Sequence, residues 1–336
     1  MMQISPETQL FIREHSSDDV RVLALQAKKY PDIDMPTAIT QIAGRKVAAE
    51  KIPSWWEIEK IWYPKHLSLE QCSSEITARY KARLLQGDSL TDLTGGFGID
   101  CSFLATGFKS ATYVERQEEL CEIAAHNFPV LNLNHINIKN EDGVTYLQVM
   151  SPVDSLFLDP ARRNEHGGKT VAISDCEPNV AELEELLLQK ANRVMIKLSP
   201  MLDLSLALKE LKQTQEVHIL SVNNECKELL ILLGQTSPAE ISIHCVNLFT
   251  KGTQKEQHFV FTREQEQCSE CTYTDSLETY LYEPNASLLK AGAFRSIAAA
   301  YPVRKLHPNS HLYTSDTFIE NFPGRIFRIV NQCSFN

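Results

Sequence analysis

The sequence has no apolar run near the roughly 18 residues that a membrane-spanning helix needs, so no membrane partner is expected. Its first residues, Met1 to Phe11, lack a basic start and a long apolar stretch, which argues against a secretory signal. Glycine and proline are scarce and scattered, 13 and 15 among 336 residues. Together with 43% hydrophobic and 23% charged residues, that excludes collagen-like, low-complexity and disordered chains. Nine cysteines without an export signal read as reduced thiols in a cytoplasm rather than a disulfide framework. Positive charge is in deficit, 33 Lys+Arg against 43 Asp+Glu, and a net −10 gives a nucleic-acid partner no support from the whole-chain balance. The deficit is uneven: residues 1–85 carry +1 and 286–336 carry +4, which leaves −15 on 86–285. Ends of that kind are compatible with touching an anionic polymer, although ordinary scatter gives the same numbers.

What is present points to two or three domains. Residues 1–85 read as a helical domain. Ser16, Ser17 and Asp18 offer N-caps before Val20, Leu23, Ala24 and Ala27, and Pro36 can open a second helix. Ser68-Leu69-Glu70-Gln71 reads as a capping box before a helix through Ile76, Tyr80 and Leu84 that ends near Gly87. Trp55, Trp56, Trp62 and Tyr63 form an aromatic knot, expected to pack this domain onto its neighbour rather than to stack bases.

From residue 88, short apolar runs at 90–94, 111–115, 134–138, 154–158, 193–198, 216–222 and 227–233 alternate with helical stretches at 99–106, 117–127, 179–190 and 203–213. The alternation predicts an α/β fold with a mainly parallel sheet. Only Asn223 to Cys226 separates the last two runs, too little for a crossover, so the seventh strand should be antiparallel. A further hairpin is expected over 240–264, a polar linker over 263–278, and a compact α+β segment from Tyr280 with a helix at 285–299.

The strongest chemical signal is Asp92-Leu93-Thr94-Gly95-Gly96-Phe97-Gly98, a strand running through a glycine-rich turn into a helix. Glycines let backbone approach a ligand, and a helix start offers free N–H groups. Asp92 stands where a dinucleotide fingerprint carries an apolar residue, and it can accept from an ammonium or orient the loop. Glu115 ends the second strand, where a carboxylate is placed to take both hydroxyls of a ribose. Asp142 follows the third strand, within reach of an adenine amine, and Asp159-Pro160-Ala161-Arg162 follows the fourth. Ligands of open α/β sheets bind along that carboxyl edge.

These residues together resemble the class I methyltransferases that use S-adenosylmethionine (SAM). The family's glycine loop with its preceding acid matches Asp92, Thr94, Gly95, Gly96 and Gly98, with Thr94 where the commonest loop has glycine. Its ribose acid matches Glu115, its adenine-side acid Asp142, and its catalytic turn Asp159, Pro160 and Arg162. The resemblance implies a seven-stranded Rossmann-like sheet, six strands parallel and one antiparallel, and SAM as cofactor. Tyr282-Glu283-Pro284-Asn285-Ala286, Ala291-Gly292, Leu312 to Asp316 and Phe322 to Arg325 resemble a bacterial group joining this domain to a ferredoxin-like segment and a THUMP-like domain. THUMP domains belong to RNA-modifying enzymes, so the resemblance implies RNA, either rRNA or tRNA, as partner and methylation in the cytoplasm as activity. The resulting division is 1–85 helical, 86–265 methyltransferase and 276–336 small α+β. Only six residues follow Val330, so much of a THUMP-like domain is expected to be missing, with 326–330 an exposed or weakly paired edge.

The remaining constellations are weaker. Cys268 and Cys271 form a CxxC with no second pair, so no metal site is expected. Cys176 stands apart from the positions where pyrimidine-carbon methyltransferases keep their nucleophile, and reads as buried or incidental. The Asp159 turn lacks the final aromatic of Asn-Pro-Pro-Tyr motifs. Lys81, Asp159, Lys197 and Glu225 or Glu228 follow the Lys-Asp-Lys-Glu order of ribose 2′-O-methyltransferases, against a reading as surface lysines and a hairpin salt bridge. Two rivals stand beside a SAM-dependent methyltransferase: a non-catalytic RNA-binding or assembly factor of the same fold, and a nicotinamide enzyme, which Asp92 and the seventh strand disfavour.

Overall fold

The computed structural model describes residues 4–162, 172–236 and 238–333. The chain divides into two units, Met1–Leu158 with Gln189–Asn192, and Asp159–Leu188 with Arg193–Asn336. No helix among the described residues is long and apolar enough to cross a membrane.

The first unit opens with helices α1 (Pro6–Glu14), α2 (Val20–Leu25), α3 (Met35–Lys51), α4 (Pro53–Trp56), α5 (His66–Gln71) and α6 (Glu75–Ala82). Side-chain caps start the first three: Ser5 accepts from the Thr8 N–H, Asp19 from Arg21, and Asp34 from Thr37. Asp19 therefore does what Ser16 to Asp18 were expected to do, and Pro36 sits in the first turn of α3. Phe11, Leu23, Met35, Ala38 and Ile42 form one small core. The Ser68 capping box is a correction, because Ser68 lies inside α5. The chain breaks after Gln71, and α6 begins behind Ser74. That break turns the Ser73 hydroxyl onto the Asp100 carboxylate at 2.7 Å, a bond a continuous helix would not place there. The helix also ends at Ala82, short of Gly87.

Beyond it, β1 (Ser89–Asp92), α7 (Ile99–Ala105), β2 (Ser110–Glu115), α8 (Glu118–Val130), β3 (Ile136–Asn140), α9 (Gly143–Val149) and β4 (Val153–Leu158) alternate as expected. The strands pair in parallel in the order β3-β2-β1-β4. The aromatic knot does pack: Trp55, Ile61, Tyr63 and Leu69 share a core with Phe97, Ile99, Phe103 and Ile123. Trp55 meets Phe97 edge-on at 5.2 Å between centroids, and Trp62 stacks on His126 at 3.7 Å. Trp56 stays exposed.

Within the second unit, a short antiparallel ladder pairs Ala161–Arg162 with Cys176–Glu177, and Cys176 is buried there. The helix α10 (Val180–Lys190) precedes β5 (Ala191–Leu198). Then come α11 (Leu204–Glu210), β6 (Thr214–Val222), β7 (Glu225–Gly234), β8 (Ser242–Leu248) and β9 (Glu256–Phe261). The order is β5-β7-β6-β8-β9, with β7 antiparallel to both β5 and β6. Its hairpin with β6 turns on Asn223 and Asn224, at φ 49° and 68°, the left-handed pair that a two-residue turn of matching twist demands. The hairpin expected at 240–264 forms, and β8 also pairs in parallel with β6 from Ser242 to Leu248, which extends the sheet by two strands.

The segment read as a linker contains α12 (Arg263–Cys268), started by a reciprocal cap between Thr262 and Gln265. After it, β10 (Tyr280–Pro284), α13 (Ala286–Ala291), α14 (Ser296–Ala300), β11 (Arg304–Lys305), β12 (Tyr313–Ser315) and β13 (Gly324–Arg328) form a four-stranded antiparallel sheet in the order β11-β12-β10-β13. The helix expected at 285–299 is two helices, because Gly292 takes φ 76° and ends the first. Glu266 starts the second: its carboxylate accepts the N–H groups of Phe294, Arg295 and Ser296 and the Ser296 hydroxyl, at 3.0, 2.8, 2.9 and 2.6 Å. Glu266→Ala is expected to cost about 2 kcal/mol, the worth of charge-assisted bonds to orphan donors. Urea unfolding measures it, and a loss under 0.5 kcal/mol would remove Glu266 as the cap. β13 is an exposed edge strand, the first of the two forms expected: Arg325, Phe327 and Arg328 are exposed, and the strand is matched to β10 from Gly324 to Arg328.

Candidate active site

The turn after β1 is built by its own side chains. Asp92 is fully buried and its Oδ1 accepts the Thr94 N–H at 2.9 Å, which bends the chain out of the strand. The Thr94 hydroxyl faces the same oxygen at 3.5 Å, so threonine is accommodated where glycine is commoner. The three glycines have different reasons. A Cβ on Gly95 would lie 2.2 Å from the ring of Tyr113, so its bareness makes room for β2. Gly98, at φ 86°, turns the chain into α7 against Phe128. Gly96, at φ 53°, has no neighbouring side chain near its Cβ position, with only the Thr94 carbonyl 3.8 Å away. The open backbone suited to a ligand is thus at Gly96.

Glu115, buried at the tip of β2, reaches into this turn. One carboxylate oxygen accepts the Gly96 N–H and the other the Gln117 N–H, both at 2.8 Å. Each oxygen keeps a second lone pair, so the group can still accept from a diol. Tyr113 donates its hydroxyl to the Gly96 carbonyl at 2.5 Å, and burial pushes the phenol well above its ordinary range, which keeps it a donor. Asn140 donates to the Glu115 and Arg116 carbonyls at 3.0 and 3.2 Å, and the Cys121 thiol, pushed up to about 11 by burial and then by Glu115, donates to the Glu115 carbonyl. These supports escape a sequence reading because they come from three separate elements.

Asp142 caps α9: its Oδ1 accepts the Val144 and Thr145 N–H groups, each at 3.0 Å. It is exposed, and Gly143 beside it presses on the Leu93 carbonyl, where a Cβ would lie 2.1 Å away. Behind the loop, Lys81 is completely buried and pairs with Asp100 at 2.9 Å while donating to Ser73 at 2.8 Å. Lys81 thereby fixes α6 to the first turn of α7.

In the second unit, Asp159 and the largely buried Lys197 form an ion pair at 2.5 Å. Pro160 disfavours helical backbone at Asp159, the residue before it. The side chain of Arg162 lies outside the described residues. Glu228 is buried, whereas Glu225 is exposed and pairs with Lys227 at 2.6 Å.

A strand order 3-2-1-4 in one block and 5-7-6 in the other, with β7 reversed and a glycine turn after β1, defines the class I methyltransferase fold. A crystal structure of a Porphyromonas gingivalis W83 protein assigned as a methyltransferase matches with 34% identity and TM-score 0.84, over 98% of this chain and 84% of that one. The chain belongs to the same family. A family model described as a ferredoxin-like domain matches residues 280–323. Looser likenesses, at TM-scores of 0.34 and 0.37, are to an rRNA methylase of Streptococcus thermophilus and to TrmK of M. capricolum solved with S-adenosyl-homocysteine. The first has 14% identity over 47% of this chain and 93% of that one. The second has 12% identity over 48% and 68%. No curated protein matches the chain.

Proposed function

We propose that the chain is a SAM-dependent methyltransferase acting on RNA, rRNA or tRNA, and that its parts are a helical segment over 1–85, a methyltransferase domain over 86–265 and a small α+β domain over 276–336. The observation that carries the cofactor assignment is the pairing of an open backbone at Gly96 with a buried Glu115 carboxylate whose lone pairs are only half used. Those groups fit a ribose and its adjoining chain. In this reading Glu115 takes the ribose hydroxyls, Asp92, Thr94, Gly95, Gly96 and Gly98 line the amino-acid end, and Asp142 flanks the base. Bound SAM supplies an electrophilic methyl group on a sulfonium centre. Asp159 and Lys197 are assigned to the acceptor: Asp159 accepts its hydrogen bond or proton, and Lys197 holds the Asp159 carboxylate in place. Pro160 and Arg162 follow Asp159 directly in the chain, with Arg162 as a phosphate contact. The RNA substrate rests on the resemblance of the segments between Tyr282 and Arg325 to the group whose members carry a THUMP-like domain, a domain of RNA-modifying enzymes.

Glu115→Ala is expected to weaken SAM binding by about 1.5–3 kcal/mol, through loss of charge-assisted contacts to the ribose. Calorimetric titration measures it, and thermal melting separates a binding loss from a collapsed loop. Unchanged affinity in a folded variant would sink the assignment. Transfer of tritiated methyl from SAM into rRNA or tRNA tests the substrate. Binding of SAM without transfer to any RNA would favour the non-catalytic RNA-binding factor.

A further inference from the structure

The face of β6, β8 and β9 carries a cluster that the methyltransferase reading leaves unused. His244 on β8 lies directly opposite His218 in the parallel ladder with β6, and Glu216 is two residues before His218 on the same face. His258 on β9 pairs in register with Val246, two residues from His244, and so joins that face from the other side. The sheet register thus collects three imidazoles and a carboxylate from three neighbouring strands. Glu216 Oε2 lies 3.3 Å from His218 Nε2, and His258 Nε2 lies 3.1 Å from His244 Nδ1. One ligand atom from each of Glu216, His218 and His244 falls within 4.8 Å of the others.

We propose that Glu216, His218, His244 and His258 bind one divalent first-row transition ion, of the zinc type, that fastens β8 and β9 onto β6. A tetrahedral zinc with bonds of about 2.0–2.1 Å spaces its ligand atoms about 3.3 Å apart, the spacing of the Glu216–His218 and His244–His258 pairs. Across Glu216, His218 and His244 the atoms stand within 4.8 Å, so the two pairs close toward each other on the ion. The His218 and His244 rings stand nearly parallel, at 16° and 4.3 Å between centroids. An ion in the plane of both rings needs one of them to turn about χ2, a soft torsion for histidine. Three nitrogens and one carboxylate select zinc, cobalt, nickel or copper over magnesium and calcium, which prefer all-oxygen sites. Arg193 also faces the cluster and donates to Glu216 Oε2 at 3.1 Å, the oxygen that faces His218, which leaves the carboxylate its Oε1 and further lone pairs for an ion. Burial grades outward from His218, through the half-buried His244, to the exposed His258, which leaves an entry path from solvent.

The test uses the full chain carrying Cys268→Ser and Cys271→Ser, which removes the CxxC pair as a competing ligand set. The protein is stripped with a chelator and titrated with Zn2+ by calorimetry and with Co2+ by visible d–d absorption. One ion per chain is expected, with a zinc-dependent rise in melting temperature. His244→Gln should weaken zinc binding at least 30-fold and abolish the melting shift. His258→Gln, at an exposed position, should keep the metal-free melting temperature and still lose at least 5-fold in affinity. That second variant decides the question if His244→Gln does not fold. Absence of stoichiometric binding, or unchanged zinc affinity in folded His244→Gln or in His258→Gln, would overturn the proposal.

Discussion

Lys81→Met is expected to destabilise the protein by about 3–5 kcal/mol, the usual cost of removing one partner from a buried ion pair. The size follows from burial: Lys81 is fully buried and Asp100 nearly so, 0% and 8% exposed. In the variant, Asp100 keeps the Ser73 hydroxyl and loses the Lys81 ammonium, so a buried carboxylate loses its countercharge. The companion variant Lys81→Met with Asp100→Leu should recover most of the loss, because an apolar pair of similar volume has no charge to desolvate. Urea unfolding of both variants measures the effect. A single variant within 1 kcal/mol of the wild type would show that the pair is solvated or replaceable. The expected change extends beyond stability. Asp100 sits in the first turn of α7, two residues after Gly98, so ligand binding at the loop should weaken together with the fold.

Asp159→Asn is expected to keep fold and SAM affinity while kcat on RNA falls by roughly 100-fold or more, the worth of a positioned acid–base group. Asparagine preserves the shape but cannot hold a proton or fully answer the Lys197 ammonium 2.5 Å away. Were Asp159 only the counterion of Lys197, the melting temperature would fall and turnover per folded molecule would not. The two readings therefore separate on kcat measured alongside thermal melting, with KM as the control on RNA binding. Full turnover in Asp159→Asn would move the chemistry elsewhere, and Lys197→Met would be the next variant to measure.

Much of this architecture is legible in the sequence because it rests on local signals. The alternation from Leu90 onward, the short link at Asn223 and the acid at each successive strand end need only period and turn chemistry to be read. Where local signals compete, the reading fails. Ser68 satisfies a capping pattern, yet the break falls at Ser73 and Ser74, because Ser73 is drawn to Asp100 and Lys81. Thr262 and Gln265 do form a genuine cap, hidden inside a polar stretch that looks like a linker. The division of labour among Gly95, Gly96 and Gly98 is invisible from the loop itself, since it depends on the Tyr113 ring beneath Gly95 and on Phe128 against Gly98. The histidine cluster is hidden for a similar reason: its members become neighbours only through the parallel register of β6 with β8.

The turn from Asp92 to Gly98 closes on itself before any ligand arrives, through Thr94 to Asp92, Gly98 to Gly95, Gly96 to Glu115 and Tyr113 to Gly96. A molecule docking there does not have to order a segment of chain, so association draws on desolvation and collision rather than on a folding step. The consequence is kinetic. Stopped-flow traces should be single exponentials whose rate rises linearly with ligand concentration and reaches no plateau. The same closure should appear in the free protein as slow deuterium uptake at the Gly96 amide, which is locked onto a buried carboxylate although it belongs to a loop.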